Sequence, residues 1–333
     1  MTKLKDFFIK NKVGVFLTAL FCTVCWGLCY PLIKLNQNYF SVESTDIFSQ
    51  FFLAGVRMTF SGILIFIICF ITKSFCLPEK KQWTGVIFIT LFQTIIHYAL
   101  TYLGQGMTDG SKTPILKEIS AFFIILIMNF VSKDDKLTLN KIIGCLLGFS
   151  GVVIINLSGG FNFNIQPGDI IIIGAALSNA IGQVFLKFSS SSSARSPFTI
   201  VAFSHFTGGL IMLLIGIIGG GKLIATGSAS YFLLIAIVFT TAIPYMLWSQ
   251  LYKYNKASIM SVYCLMTPMF GMLFTSLFYG NSNVFSLYSV SALVLISLGI
   301  LCVNLHFGKK SDSINSEKTD NFTDRDITNG LNQ

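Results

Sequence analysis

Residues Asn140–Leu157 read NKIIGCLLGFSGVVIINL, and residues Tyr288–Leu305 read YSVSALVLISLGILCVNL. At an offset of 148, Gly151 falls on Gly299, Asn156 on Asn304 and Leu157 on Leu305, with apolar positions matching between them. The starts of two further segments align at an offset of 153. There WGLCYPLIK (Trp26–Lys34) faces NAIGQVFLK (Asn179–Lys187), and both end on Lys. Matches near the start and the end of two equal stretches point to an internal repeat covering most of the chain.

The composition says which solvent the repeat meets. The chain has 333 residues, 53% of them hydrophobic and only 11% charged, where a soluble domain carries about 25% charged residues. Too few polar side chains exist to cover a water-facing surface, so the solvent is mostly lipid. Ten apolar runs reach the ~20 residues that a spanning helix needs. They are 13–35, 47–71, 85–103, 113–131, 140–157, 169–188, 198–218, 231–248, 259–279 and 284–306. The first run is too long for a signal-peptide core and lacks a small-residue cleavage site after it, so it reads as a retained span. The expected divisions are an N-terminus at 1–12, a five-helix repeat at 13–157, a linker at 158–168, a second repeat at 169–306 and a polar, disordered tail at 307–333.

Charge sets the expected orientation. Of the 23 Lys and Arg residues, 18 fall in the termini and one alternate set of connectors, three in the opposite set or at a span end, and two, Arg57 and Lys117, within spans. The positive-inside rule then predicts both termini in the cytoplasm of an inner (plasma) membrane. This asymmetry also explains the net charge of +9 without nucleic acid. Five spans separate the start of one half from the start of the other, so the halves run in opposite directions, the pattern of an inverted-repeat transporter. The fold class expected is an all-α integral membrane protein of ten transmembrane helices in two inverted five-helix repeats.

In order along the chain, WGLCYPLIK in the first span, LAGVRMTF (Leu53–Phe60) in the second, KLTLNKIIGCLLGFSGVVIINL (Lys136–Leu157) and MTPMFGMLF (Met266–Phe274) resemble the drug/metabolite transporter superfamily, of the EamA type. The chain departs from that pattern in two places. Asp135 fills an acidic position before the first LT-type connector, while Asn283 stands at its counterpart; Ser120 stands where Pro268 aligns. The resemblance implies a basket of helices around a cavity, lined by the first four spans of each half. It places spans five and ten outside as a candidate homodimer face. Gly144-x-x-x-Gly148 in span five fits close helix packing, within one chain or between two.

Polar residues inside spans are the strongest pointers to a solute path, because each carries an insertion penalty. Arg57 lies about ten residues into its span, as an anion contact, an ion-pair switch or a structural Arg. Gln93, His97 and Thr101 recur every four residues, flanked by Tyr98 and Tyr102. Trp26 and Tyr30 precede Pro31; Asn179 and Gln183 lie in span six; Thr241, Tyr245, Trp248 and Ser249 surround Pro244. Such aromatic and amide faces suit an amphipathic organic solute, with helix–helix hydrogen bonding as the competing role. Among 14 acidic residues, Glu118 alone lies well inside a span. Adjacent residues do not share a helix face, so Glu118 is expected toward the cavity and Lys117 snorkelling to the interface.

The eight cysteines fall mostly in apolar runs and read as packing residues; the three histidines show no ligand spacing. No zinc-binding H-E-x-x-H, nucleophile elbow or P-loop occurs. No catalytic residue, metal or cofactor is expected. The function predicted is secondary active transport, more export than import, of small organic metabolites or drugs. The alternatives are an importer or exchanger of an anionic metabolite, and a non-transporting membrane subunit or sensor.

Overall fold

A computed structural model describes residues 2–43, 45–105, 107–108, 112–157, 164–193, 197–279 and 287–304. Among the described residues all regular structure is helical. In chain order the helices are α1 (Thr2–Lys10), α2 (Lys12–Tyr39), α3 (Ile47–Ile71), α4 (Lys80–Phe88), a π-helical stretch (Ile89–Ile96) and α5 (His97–Gln105). Then come α6 (Lys112–Glu118), α7 (Ser120–Val131), α8 (Leu139–Leu157), α9 (Pro167–Ser192) and α10 (Phe198–Ile218). The last are α11 (Ser228–Tyr254), α12 (Ala257–Cys264), α13 (Thr267–Tyr279) and α14 (Leu287–Asn304).

Eight helical stretches are long and apolar enough to cross a membrane: α2, α3, Lys80–Gln105, Thr113–Val131, α9, α10, α11 and Ala257–Tyr279. The other two expected spans appear as the shorter apolar helices Leu139–Ile154 and Val290–Asn304. Residues 284–286 and 305–306 of the last expected span lie outside the described residues, as do 158–163 of the linker and the tail 307–333. The N-terminal segment 1–12 holds the helix α1.

Several spans extend past the apolar core because capping residues set their ends. Glu79 and Gln82 form a capping box at α4, satisfying first-turn N–H groups that the helix itself cannot. Gln166 and Asp169 do so at α9, with Pro167 in its first turn, where a missing N–H is harmless. Asn11 caps α2 by accepting from Val13 N at 2.9 Å.

Two spans are broken. Between α6 and α7, Ile119 interrupts the helix, and between α12 and α13 the chain tightens at Leu265 and Met266. There Leu265 N donates to Val262 O and Met266 N to Tyr263 O, at 3.2 and 3.1 Å. Pro268 follows the second break, as its inability to continue a hydrogen-bond ladder requires. The first break has no neighbouring proline, only Ser120.

Helix contacts follow a reciprocal pattern. α2 packs on α11 and α13, while α9 packs on the π-helical stretch, α5 and α7. α3 crosses α10 over their lengths. Lipid is as apolar as Leu, so close packing rather than expulsion from water holds such helices together. Small residues let the backbones approach: a Cβ added at Gly62 would lie 2.6 Å from Phe206 N, and one at Gly209 2.8 Å from Met58 C. The glycines of α8 serve the same purpose within the chain. A Cβ at Gly144 would lie 2.7 Å from Gly299 O, and one at Gly151 2.9 Å from Ala292 O. Gly148 meets the Leu265 side chain. The Gly144-x-x-x-Gly148 motif is thus occupied by partners in the same chain.

Candidate functional site

The two helix breaks face a common cavity of about 180 Å³. Glu118 and Ser120 line it from the first break, and Cys264 and Thr267 from the second. A break of this kind leaves backbone polar groups unpaired by the helix, tolerated at membrane depth where they line a cavity. α2 contributes Trp26, Cys29 and Tyr30; α3 contributes Arg57; α5 contributes His97 and Tyr98. Asn179 and Gln183 of α9 and Thr241 and Tyr245 of α11 complete the polar wall.

Arg57 dominates the electrostatics of this wall. It is 5% exposed, and its guanidinium carbon lies 5.3 Å from the Tyr98 ring centroid, a cation–π contact. Its Nε and Nη2 are buried with no hydrogen-bond partner among the described residues, and no carboxylate there pairs with it. Trp26 Nε1, Gln183 Oε1 and Thr267 Oγ1, on the same cavity wall, are likewise buried without partners. Buried polar groups are normally satisfied. A cluster of unsatisfied ones around a cavity, two donors on Arg57 and one on Trp26, fits a solute that supplies the missing acceptors.

The aromatic face is built in depth. The Trp26 ring meets Tyr245 at 5.3 Å and Trp248 at 4.9 Å, and Trp248 in turn meets Tyr252 at 5.9 Å. Trp248 is fully buried and supports Trp26 from behind rather than lining the cavity. The His97 Nδ1 lies 3.0 Å from Ala175 O. A carbonyl only accepts, so Nδ1 carries hydrogen, and in the neutral ring Nε2 is left as the acceptor.

Of the polar positions singled out by sequence as a solute path, ten line the cavity: Trp26, Tyr30, Arg57, His97, Tyr98, Glu118, Asn179, Gln183, Thr241 and Tyr245. Gln93 and Trp248 lie outside its lining. Of the four-residue stripe through Gln93, His97 and Thr101, His97 alone lines the cavity, and Gln93 falls in the π-helical Ile89–Ile96. A wider turn shifts the register just before His97, and Gln93 instead packs its Cβ against the Gly182 backbone.

Lys117 is a correction. Expected at the membrane interface, it lines the cavity beside Glu118. Adjacent residues of a helix lie about 100° apart, so Lys117 and Glu118, both in the last turn of α6, can border one cavity where the chain breaks at Ile119. The cysteines carry a role that apolar runs did not reveal. Pro244 cannot donate to Thr240 O four residues earlier, and the Cys29 Sγ lies 3.8 Å from that oxygen. Cys22 Sγ lies 3.7 Å from Pro244 O. Outside the cavity, His205 joins α10 to α3 through Ser61, with Nδ1 and Oγ 3.1 Å apart, and stacks edge-on against Tyr245 at 4.6 Å.

Comparison with known proteins agrees with this architecture. A solved crystal structure superposes with a TM-score of 0.71, covering 88% of this chain and 97% of its own, at 14% identity; that likeness concerns the fold. The chain is 25% identical over 303 residues to the uncharacterized transporter YvbV of Bacillus subtilis, covering 88% of this chain and 92% of that protein. It is 24% identical over 262 residues to the uncharacterized inner membrane transporter YedA of Escherichia coli K12, covering 77% and 80%. The EamA-like transporter family matches twice, over residues 13–157 and 166–305. With multiple apolar helices and a family match over both halves, this multi-pass membrane protein belongs to the EamA-like transporter family.

Proposed function

We propose that this protein is a ten-helix secondary transporter of two inverted repeats, carrying a small organic solute with an anionic group outward by alternating access. The single observation behind the solute class is Arg57, a buried guanidinium on the cavity wall whose Nε and Nη2 have no partner among the described residues. A planar guanidinium engages carboxylate or phosphate oxygens two at a time. The rings of Trp26, Tyr30, Tyr98 and Tyr245 on the same wall suit an aliphatic or aromatic body attached to that anion.

The repeat reading is supported by the double family match and by the reciprocal contacts. If α2 and α9 are counterparts, then α11 and the Lys80–Gln105 helix are too, as are the two broken helices. The packing of α2 on α11 and α13 has its mate in the packing of α9 on the π-helical stretch, α5 and α7. In this reading both termini lie in the cytoplasm. A cysteine at exposed Ala225 should then be labelled from outside intact cells, and one at exposed Ser192 should not; the reverse pattern overturns the orientation.

The test of function is transport in reconstituted vesicles with a panel of organic anions, their neutral analogues and cations. The reading requires uptake or efflux of an anion, loss of it in Arg57→Ala, and weak transport of the analogue lacking the anionic group. Equal transport of the neutral analogue, or full anion transport by Arg57→Ala, overturns the assignment. Oppositely oriented vesicles report direction.

A further inference from the structure

We propose that α1, together with the α11–α12 turn, forms a docking surface for anionic lipid headgroups. α1 is not a loose tail. The last carbonyls of a helix lack partners within it, and in α1 two of them are taken up by side chains of long helices. Phe8 O accepts from Thr18 Oγ1 of α2 at 3.0 Å, and Ile9 O accepts from Asn255 Nδ2, just past α11, at 3.0 Å. Ile9 itself is buried, and the α1 backbone rests on Gly14, where a Cβ would lie 2.8 Å from Phe8 Cα.

This anchoring leaves a specific outward face. Phe7, Phe8, Val13 and Tyr254 are 38%, 40%, 59% and 43% exposed, an apolar and aromatic group at the ends of two membrane-crossing helices. Exposed Lys10, Lys12 and Lys256 stand around it. Lys10 Nζ lies 5.1 Å from the Tyr254 ring centroid and pairs with Asp6 at 3.1 Å. Lys12 and Lys256 form no ion pair among the described residues.

Aromatic rings beside lysines at the end of a spanning helix match the boundary between acyl chains and headgroups. The rings suit the first and the ammonium groups suit phosphates. Neutral headgroups offer no net attraction to these lysines, whereas an anionic leaflet does, by about fivefold in affinity per lysine. The charge complementarity therefore selects an anionic lipid surface. Because α1 holds the end of α11 through Asn255, lipid bound there also steadies the helix that carries Thr241 and Tyr245 to the cavity.

The experiment compares the full-length protein in nanodiscs of phosphatidylcholine alone and of phosphatidylcholine mixed with phosphatidylglycerol. Hydrogen exchange is read on the peptide covering α1. The expected result is stronger protection of α1 in the mixed discs, by about fivefold per lysine engaged, erased by high salt. Lys10→Gln/Lys12→Gln/Lys256→Gln should remove the difference and leave protection of α3 unchanged. As a second reading, Phe7→Trp fluorescence should be quenched more by brominated phosphatidylglycerol than by brominated phosphatidylcholine. Equal protection in the two lipids, a difference that survives the triple replacement, or crosslinking of α1 to a second copy in either lipid overturns the proposal.

Discussion

The Asp135 carboxylate, in the connector between α7 and α8, caps the first turn of α12 by accepting from Ser258 N at 3.0 Å. The Ser258 hydroxyl also donates to it, and Lys141 Nζ donates at 2.6 Å. Asp135 and Lys141 are both buried, so one carboxylate ties the end of the first family-matched segment to a broken helix of the second. An acid at a helix N-terminus meets unsatisfied N–H groups and the positive end of the helix dipole.

Burial would raise the Asp135 carboxyl, but hydrogen bonds from Lys141 and Ser258 and the Lys141 charge together hold it below the ordinary carboxylate range. A depressed folded value means that the tie stabilises fully above the unfolded value of about 3.9 and is lost as pH falls through the folded value. Thermal unfolding in detergent should show this loss below pH ~4 in the parent. Asp135→Ala leaves a buried ammonium and should lose about 3–5 kcal/mol at neutral pH, with a flatter acid limb. An unchanged melting temperature in Asp135→Ala would remove the tie from the stability argument.

Arg57 carries unpaired buried N–H groups, so its replacement should separate function from stability. Arg57→Met keeps a long apolar stem and removes the unsatisfied donors, each a penalty of about 1–3 kcal/mol. Melting temperature should stay level or rise while transport is lost. Arg57→Lys keeps charge without the planar fork and should transport poorly at normal expression. A large loss of stability in Arg57→Met would make Arg57 a structural residue.

Glu118 stands at the break of its span and lines the cavity. If a carboxylate couples transport to protons, Glu118 is the one among the described residues that lines the cavity. Glu118→Gln should abolish accumulation driven by a pH gradient and spare solute exchange at equal pH, because exchange moves no net protons. Vesicle assays with and without the gradient distinguish these. Gradient-driven accumulation intact in Glu118→Gln excludes it as the coupling group.

Gly62 and Gly209 let α3 and α10 touch backbone to backbone. Gly62→Val places a branched side chain where even a Cβ would lie 2.6 Å from Phe206 N. Overpacking of this kind costs about 1–3 kcal/mol or more, so folded yield after size-exclusion chromatography should fall sharply. Gly227→Ala, with open space around it, serves as the control and should leave yield unchanged.

Sequence alone determined the class of this protein, since 53% hydrophobic residues with 11% charge cannot be covered by water. It located the membrane-crossing helices to within a few residues, because apolar length is a local property. It singled out Arg57 and Glu118, because charge inside an apolar run stands out without any knowledge of partners. Tertiary structure decided everything that depends on phase or on distant neighbours. The π-helical turn before His97 moved Gln93 off the cavity, a register change that no four-residue period can anticipate. The break at Ile119 brought Lys117 to the cavity wall beside Glu118. Trp248 became the support of Trp26, and Gly144 and Gly148 met Gly299 and Leu265, through packing between residues more than a hundred positions apart. The docking of α1 hangs on Thr18 and Asn255, and the capping of α12 on Asp135. A side-chain hydrogen bond across the fold leaves no periodicity in the chain, so only the assembled helices reveal it.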